Sequence, residues 1–95
     1  MATSKIIKPQ RYITETVSVQ FSLNNEANKE QSFDISKSGY TPIGVVGWSI
    51  VTSSLFYFLK CFTQNDNLYT YLTTKNSAAY TGTVNASAII LYQEN

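Results

Sequence analysis

Tyr12-Ile13-Thr14-Glu15-Thr16-Val17-Ser18-Val19-Gln20-Phe21-Ser22-Leu23 decides the fold. Ile13, Val17, Val19, Phe21 and Leu23 fall on one parity, and Thr14, Thr16, Ser18, Gln20 and Ser22 on the other. A repeat of two sends alternate side chains to opposite faces of a sheet, so this stretch is a strand with one apolar and one hydroxyl-rich face. Glu15 alone breaks the apolar side.

The rest of the chain reads as further strands between turn residues. Asn24 to Glu30 is polar and Asn-rich and is expected to be a loop. Phe33 and Ile35 alternate with Ser32, Asp34 and Ser36 in a short strand. Lys37-Ser38-Gly39 is a turn, with Gly39 free to take positive φ. Ile43 to Val51 is apolar on both parities and is expected to be a strand buried on both faces, with Gly44 and Gly47 marking bulges or close backbone approach. Thr52-Ser53-Ser54 turns the chain into Leu55 to Phe62, again apolar on both parities except at Lys60. That lysine must either snorkel to a rim or face solvent from an edge strand. Gln64-Asn65-Asp66-Asn67 is a turn that joins it to Leu68 to Thr73 as a hairpin. After Lys75-Asn76-Ser77 the last strand, Thr83 to Tyr92, sets Val84, Ala86, Ala88, Ile90 and Tyr92 on one face. The pattern predicts an all-β domain, a small antiparallel β-sandwich or jelly-roll-like fold of six to seven strands over residues 12–95, preceded by an arm, 1–11.

Ninety-five residues form one domain with a marginal core, because a chain this short buries only roughly 60–65% of its unfolded surface. Such domains lean on disulfides, metal or association. Cys61 is the single cysteine, histidine is absent, and the carboxylates never cluster at ligand spacing, which leaves association. Charged residues make up 14% of the chain against about 25% in an ordinary domain, while 30 of the 95 residues are Ser, Thr or Asn and seven are Tyr. Few charges and many tyrosines suit an interface, and they equally suit a chain rich in strands.

The net charge of +1 makes no case for nucleic acid, and no apolar run is long enough for membrane insertion. Lys5, Lys8 and Arg11 form a small basic cluster in the arm. The first residues carry no long apolar stretch, so synthesis in a cytoplasm without an export signal is expected.

Without histidine, Ser-His-Asp and Cys-His catalysis cannot be built, and the chain is expected not to be an enzyme and to need no cofactor. Cys61 sits in an apolar strand as a small hydrophobe. No pair of acids is spaced as a glycosidase pair; Asp34 and Asp66 could converge in space, but nothing in the sequence brings them together. Gly44 and Gly47 lack the basic flank and following helix of a phosphate loop. Asn85-Ala86-Ser87 is a formal glycosylation sequon inside a predicted strand. Tyr69, Tyr71 and Tyr80 are the candidate ligand or interface aromatics, since rings stack on sugars.

The run Ser38-Gly39-Tyr40-Thr41-Pro42-Ile43-Gly44-Val45-Val46-Gly47-Trp48 resembles a motif of small β domains in bacteriophage fibre and appendage proteins. Val17-Ser18-Val19 before it, and Asn76-Ser77, Thr81-Gly82-Thr83-Val84 and Ile90-Leu91-Tyr92 after it, extend the resemblance over roughly residues 12–92. The resemblance implies a virion structural protein, commonly a homotrimer, that decorates the particle or attaches it to a host surface glycan. Within it, Gly39 permits the turn, Pro42 fixes an extended approach, Gly44 and Gly47 allow close contact, Tyr40 lies between turn and strand, and Trp48 packs. With eleven residues before the first strand, a head fibre, decoration protein or tail-tip accessory on the virion surface is expected, anchored to other virion proteins through the arm. The alternative is a monomeric carbohydrate-binding module.

Overall fold

The structure, a computed structural model, describes residues 11–95. The expected arm lies outside the described residues except for Arg11. That residue is tied down: its carbonyl accepts the Glu94 N–H at 2.8 Å and its guanidinium lies 3.8 Å from the Glu94 carboxylate.

Six antiparallel strands form two three-stranded sheets. They are β1 (Tyr12–Glu26), β2 (Asn28–Asp34), β3 (Tyr40–Ile50), β4 (Phe56–Gln64), β5 (Asn67–Thr74) and β6 (Tyr80–Glu94). One sheet has the order β1-β6-β3 and the other β2-β5-β4. The chain therefore changes sheet at every connection except the β4–β5 hairpin. This is the expected all-β sandwich, with six strands.

The alternation in β1 is realised as read. Val19, Phe21 and Leu23 are buried, and so are Val84, Ala86, Ala88, Ile90 and Tyr92 of β6. The centre strands β6 and β5 bury Val84, Ile90, Tyr92, Leu68 and Leu72 alongside the smaller Ala86, Ala88 and Thr70, and the edge strands add Phe21, Phe56 and Phe58. Phe21, with no exposed surface, meets Phe33 edge-on at 5.5 Å and Phe58 at 5.8 Å. Each such pair adds about 0.5–1.5 kcal/mol beyond burial. Buried Thr70 and Thr74 do not cost the core, because their hydroxyls donate to the carbonyls of Gln31 (2.7 Å) and Ala78 (3.3 Å).

Glu15, on the inward parity, reaches Lys37 at 2.8 Å. Lys37 belongs to the crossing from β2 to β3, which closes that end of the sandwich. Ile35, the first residue of the crossing, is buried, and its carbonyl accepts the Tyr92 hydroxyl at 2.7 Å. The turn at Lys37-Ser38-Gly39 is present, with Gly39 at φ 82° and the Tyr40 N–H donating to the Lys37 carbonyl at 3.0 Å.

Two expectations are corrected. Asn24 to Glu30 is not a loop: β1 runs to Glu26, only Ala27 interrupts, and β2 begins at Asn28. Asn28, Lys29 and Glu30 are extended because they pair with Thr73, Leu72 and Tyr71, so the ladder overrides their weak strand preference. Asn25, at φ 54°, a conformation asparagine tolerates, lies at the register shift between Leu23 and Glu26 of β1, and the chain bends at Ala27.

The second correction concerns Ile43 to Val51, which is not buried on both faces. β3 is an edge strand, and Ile43, Val46, Trp48 and Val51 are all exposed. Gly44 and Gly47 do mark bulges, since the register shifts between Pro42 and Gly44 and again between Val45 and Gly47.

Candidate binding surfaces

The antiparallel registers place the paired outward side chains of the β2-β5-β4 sheet in rows. The Asn65-Asp66 turn, with Asn65 at φ 55°, sets Gln64 opposite Asn67, and the ladder then sets Phe62 opposite Tyr69 and Lys60 opposite Tyr71. From the other side Ser32 meets Tyr69, and Glu30 meets Tyr71. Two adjacent rows result, Ser32–Tyr69–Phe62 and Glu30–Tyr71–Lys60, flanked by Asp34–Asn67–Gln64 on one side and Asn28–Thr73–Tyr57 on the other. Phe62 and Tyr69 stack at 5.5 Å with planes 18° apart, yet remain 45% and 37% exposed. The first two rows line an open groove of about 340 Å³.

The structure thus brings Tyr69 and Tyr71 together and separates Tyr80 from them. Tyr80 packs edge-on against Phe56 at 5.0 Å, with its ring 3.2 Å from where a side chain on Gly82 would start. Its role is to close the core. Lys60 faces solvent from an edge strand, one of the two outcomes its position allowed, and among the described residues neither Lys60 nor Glu30 is in an ion pair. Phe62, Lys60 and Glu30 are site residues that strand-by-strand reading missed; the Asn65-Asp66 turn is the signal that would have found the first two.

A second surface follows the flank where β3 and β4, the edge strands of the two sheets, lie side by side. Three bulges occur on these edges, and in each the extra residue is large, apolar and exposed: Ile43, Val46 (56%) and Leu59 (59%). Trp48 sits between the strands, edge-on to Phe58 at 5.1 Å, with one side open to solvent. Val51 follows, and Ile89 of β6 lies beside Gly47. The opposite flank exposes Thr14, Thr16, Ser18, Gln20 and Ser22 of β1 and Asn28, Glu30, Ser32 and Asp34 of β2.

The motif residues are shared between fold and flank. Gly39 needs its positive φ, Tyr40 lies under the Lys37 ammonium at 5.5 Å, and Pro42 is buried. Gly44 has neither a positive φ nor any neighbour within 4 Å of an added Cβ, and at Gly47 the nearest is the Ile89 side chain at 3.8 Å. Neither glycine is required by packing within one chain.

Asp34 and Asp66 do approach one end of the β2-β5-β4 sheet, where the Ile35 N–H donates to the Asp66 carbonyl. The backbone N–H of Ser36, donating at 2.9 Å, holds the Asp34 carboxyl below its usual range. Burial pushes the Cys61 thiol up, away from a reactive thiolate. No three metal-ligating side chains gather among the described residues, and no helix there is long and apolar enough to cross a membrane. Compared with known proteins, the chain matches no family model, no curated protein and no solved structure.

Proposed function

We propose that this chain is a non-enzymatic structural module of a bacteriophage particle, a head fibre, decoration protein or tail-fibre tip, that associates as a homotrimer through the β3–β4 flank. The observation that carries the assembly reading is the exposed apolar residue at all three bulges of that flank. A bulge on an edge strand is a device against strand-to-strand aggregation, and charged side chains are another that edges commonly use. Here the bulges block sheet extension while offering Ile43, Val46 and Leu59 for side-chain packing. Surfaces of this kind mark contacts between proteins. Support for the virion setting is the resemblance of Ser38 to Trp48 and its flanking turns to phage appendage domains.

Light scattering on a sizing column tests the assembly. A mass near three chains is expected, falling to one chain in the Val46→Asp, Leu59→Asp double variant while its circular dichroism stays unchanged. A wild-type chain that remains single at high concentration sinks the reading. The virion setting is tested separately: genes beside this one are expected to encode capsid or tail proteins, and removing residues 1–10 is expected to abolish attachment to the particle.

A further inference from the structure

The aromatic rows on the β2-β5-β4 sheet stand apart from the three bulge residues of the flank in chemistry. Around Tyr69 and Tyr71 the exposed ring surface is interleaved with one carboxylate (Glu30), one ammonium (Lys60) and the hydroxyls of Ser32 and the tyrosines. A self-association core excludes Lys and Glu, and this face places one of each on either side of a tyrosine in a single row.

We propose that this face binds a neutral oligosaccharide, with Phe62 and Tyr69 as the stacking platform and the Glu30–Tyr71–Lys60 row as its polar contacts. A sugar ring is amphipathic in the same pattern. Its C–H face seeks a ring, and its hydroxyls both donate and accept. Glu30 accepts, Lys60 donates and the Tyr71 hydroxyl does both, so the row offers every partner a polyol needs. The two formal charges cancel, which gives no attraction to a phosphate backbone or to an acidic glycan. The groove, about 340 Å³, lies at the small end of the roughly 300–1,000 Å³ typical of ligand sites, and it is open along the sheet, as a chain of sugars requires. Much of a bound ligand would stay in water, so the expected dissociation constant is on the order of 1 mM.

The site goes beyond the assembly reading, because one chain supplies all of it. The probes are maltotriose, cellotriose, lactose, N,N′-diacetylchitobiose and sialyllactose, each titrated to 20-fold above the expected constant (~20 mM) while saturation-transfer NMR follows the Tyr and Phe protons. At least one neutral probe is expected to saturate, and Tyr69→Ala and Phe62→Ala are each expected to weaken it at least tenfold. Lys60→Gln and Glu30→Gln, which keep the surface polar and the core untouched, are expected to weaken it several-fold without changing the circular dichroism. Tyr12→Ala, on the other sheet, should leave it unchanged. No saturation by any neutral probe overturns the proposal, as does binding that survives both ring substitutions, or sialyllactose binding more tightly than lactose. Solution mass is read on the same samples. A single chain that binds sugar refutes assembly and keeps this site; a trimer whose mass falls with Tyr69→Ala, with no sugar bound, makes the face a subunit contact and refutes the site.

Discussion

Tyr92→Phe removes one oxygen atom and tests how the β2–β3 crossing is fastened to the core. Tyr92 is 1% exposed, and its hydroxyl donates to the Ile35 carbonyl at 2.7 Å. The ring stays buried in the variant, so the cost is the hydrogen bond and the solvation that the Ile35 carbonyl does not recover. A net bond is worth about 1 kcal/mol, and an acceptor left unpaired in a buried place adds about as much again, giving roughly 2 kcal/mol. For a domain of this size each kcal/mol moves the midpoint by about 4–8 °C, so Tm should fall by roughly 8–16 °C. In urea the midpoint should drop with the slope unchanged.

The same residue gives the experiment a second axis. Burial, reinforced by the Glu15 carboxylate, raises the Tyr92 pKa above its ordinary value. The unfolded chain therefore ionises first, and the stability held by this group is complete below about pH 10 and is lost as pH rises through the folded-state pKa. Wild type and Tyr92→Phe should be furthest apart near neutral pH and converge in alkali, where the other tyrosines cancel in the comparison. A variant that melts within 2 °C of wild type at pH 7, or a gap that widens in alkali, would refute the reasoning.

Other changes probe other links. Phe58→Ala should cost about 3–5 kcal/mol and shift Trp48 emission to the red, because the indole loses the ring it meets at 5.1 Å; unchanged emission would place Trp48 elsewhere. Gly39→Ala should destabilise by about 1–2 kcal/mol through φ alone, with no clash, whereas Gly44→Ala should leave chain stability within about 1 kcal/mol and lower the solution mass. An unfolded Gly44→Ala chain would show that the glycine serves the fold instead. Lys37, its pKa raised by the hydrogen bond from its ammonium to Glu15, supports the folded state below about pH 10.5 and ceases to as pH rises through its raised value; Lys37→Met should flatten that part of the alkaline profile. Cys61, half-buried with its thiol pKa raised, should react with a disulfide reagent more slowly at pH 7 than an unfolded control does.

What the sequence made legible was whatever depended on local period. The β1 and β6 faces, the Gly39 turn, the hairpin and the glycine bulges all follow from side-chain alternation and turn chemistry. Asn28 to Glu30 failed because pairing with β5, not propensity, makes them strand. The Ile43 to Val51 run failed for a different reason. An apolar run on both parities reads as a buried centre strand, yet here bulges turn its apolar residues outward on an edge, and composition does not reveal which strand is an edge. Of the aromatic face, Tyr69 and Tyr71 are visible in the sequence as strand tyrosines, while Tyr80, alike in sequence, packs against Phe56 instead. Glu30 joins the site only through the β2–β5 register, a contact some forty residues apart in the chain.

The β1–β6 ladder joins Tyr12 to Gln93 and Leu23 to Gly82. Apart from the β4–β5 hairpin, no strand has its ladder partner next to it in sequence. Such a wiring loads almost all stabilising contacts onto closures of long loops, which must lose their entropy before any contact compensates. Refolding should accordingly be slow for a chain of this length, in the millisecond-to-second range of β-sandwiches, with the hairpin the one element able to form early. Until β6 docks, β1 is a fifteen-residue strand with no ladder partner and an apolar face in water. The interval before that docking is when the chain is most open to pairing with a neighbour's β1.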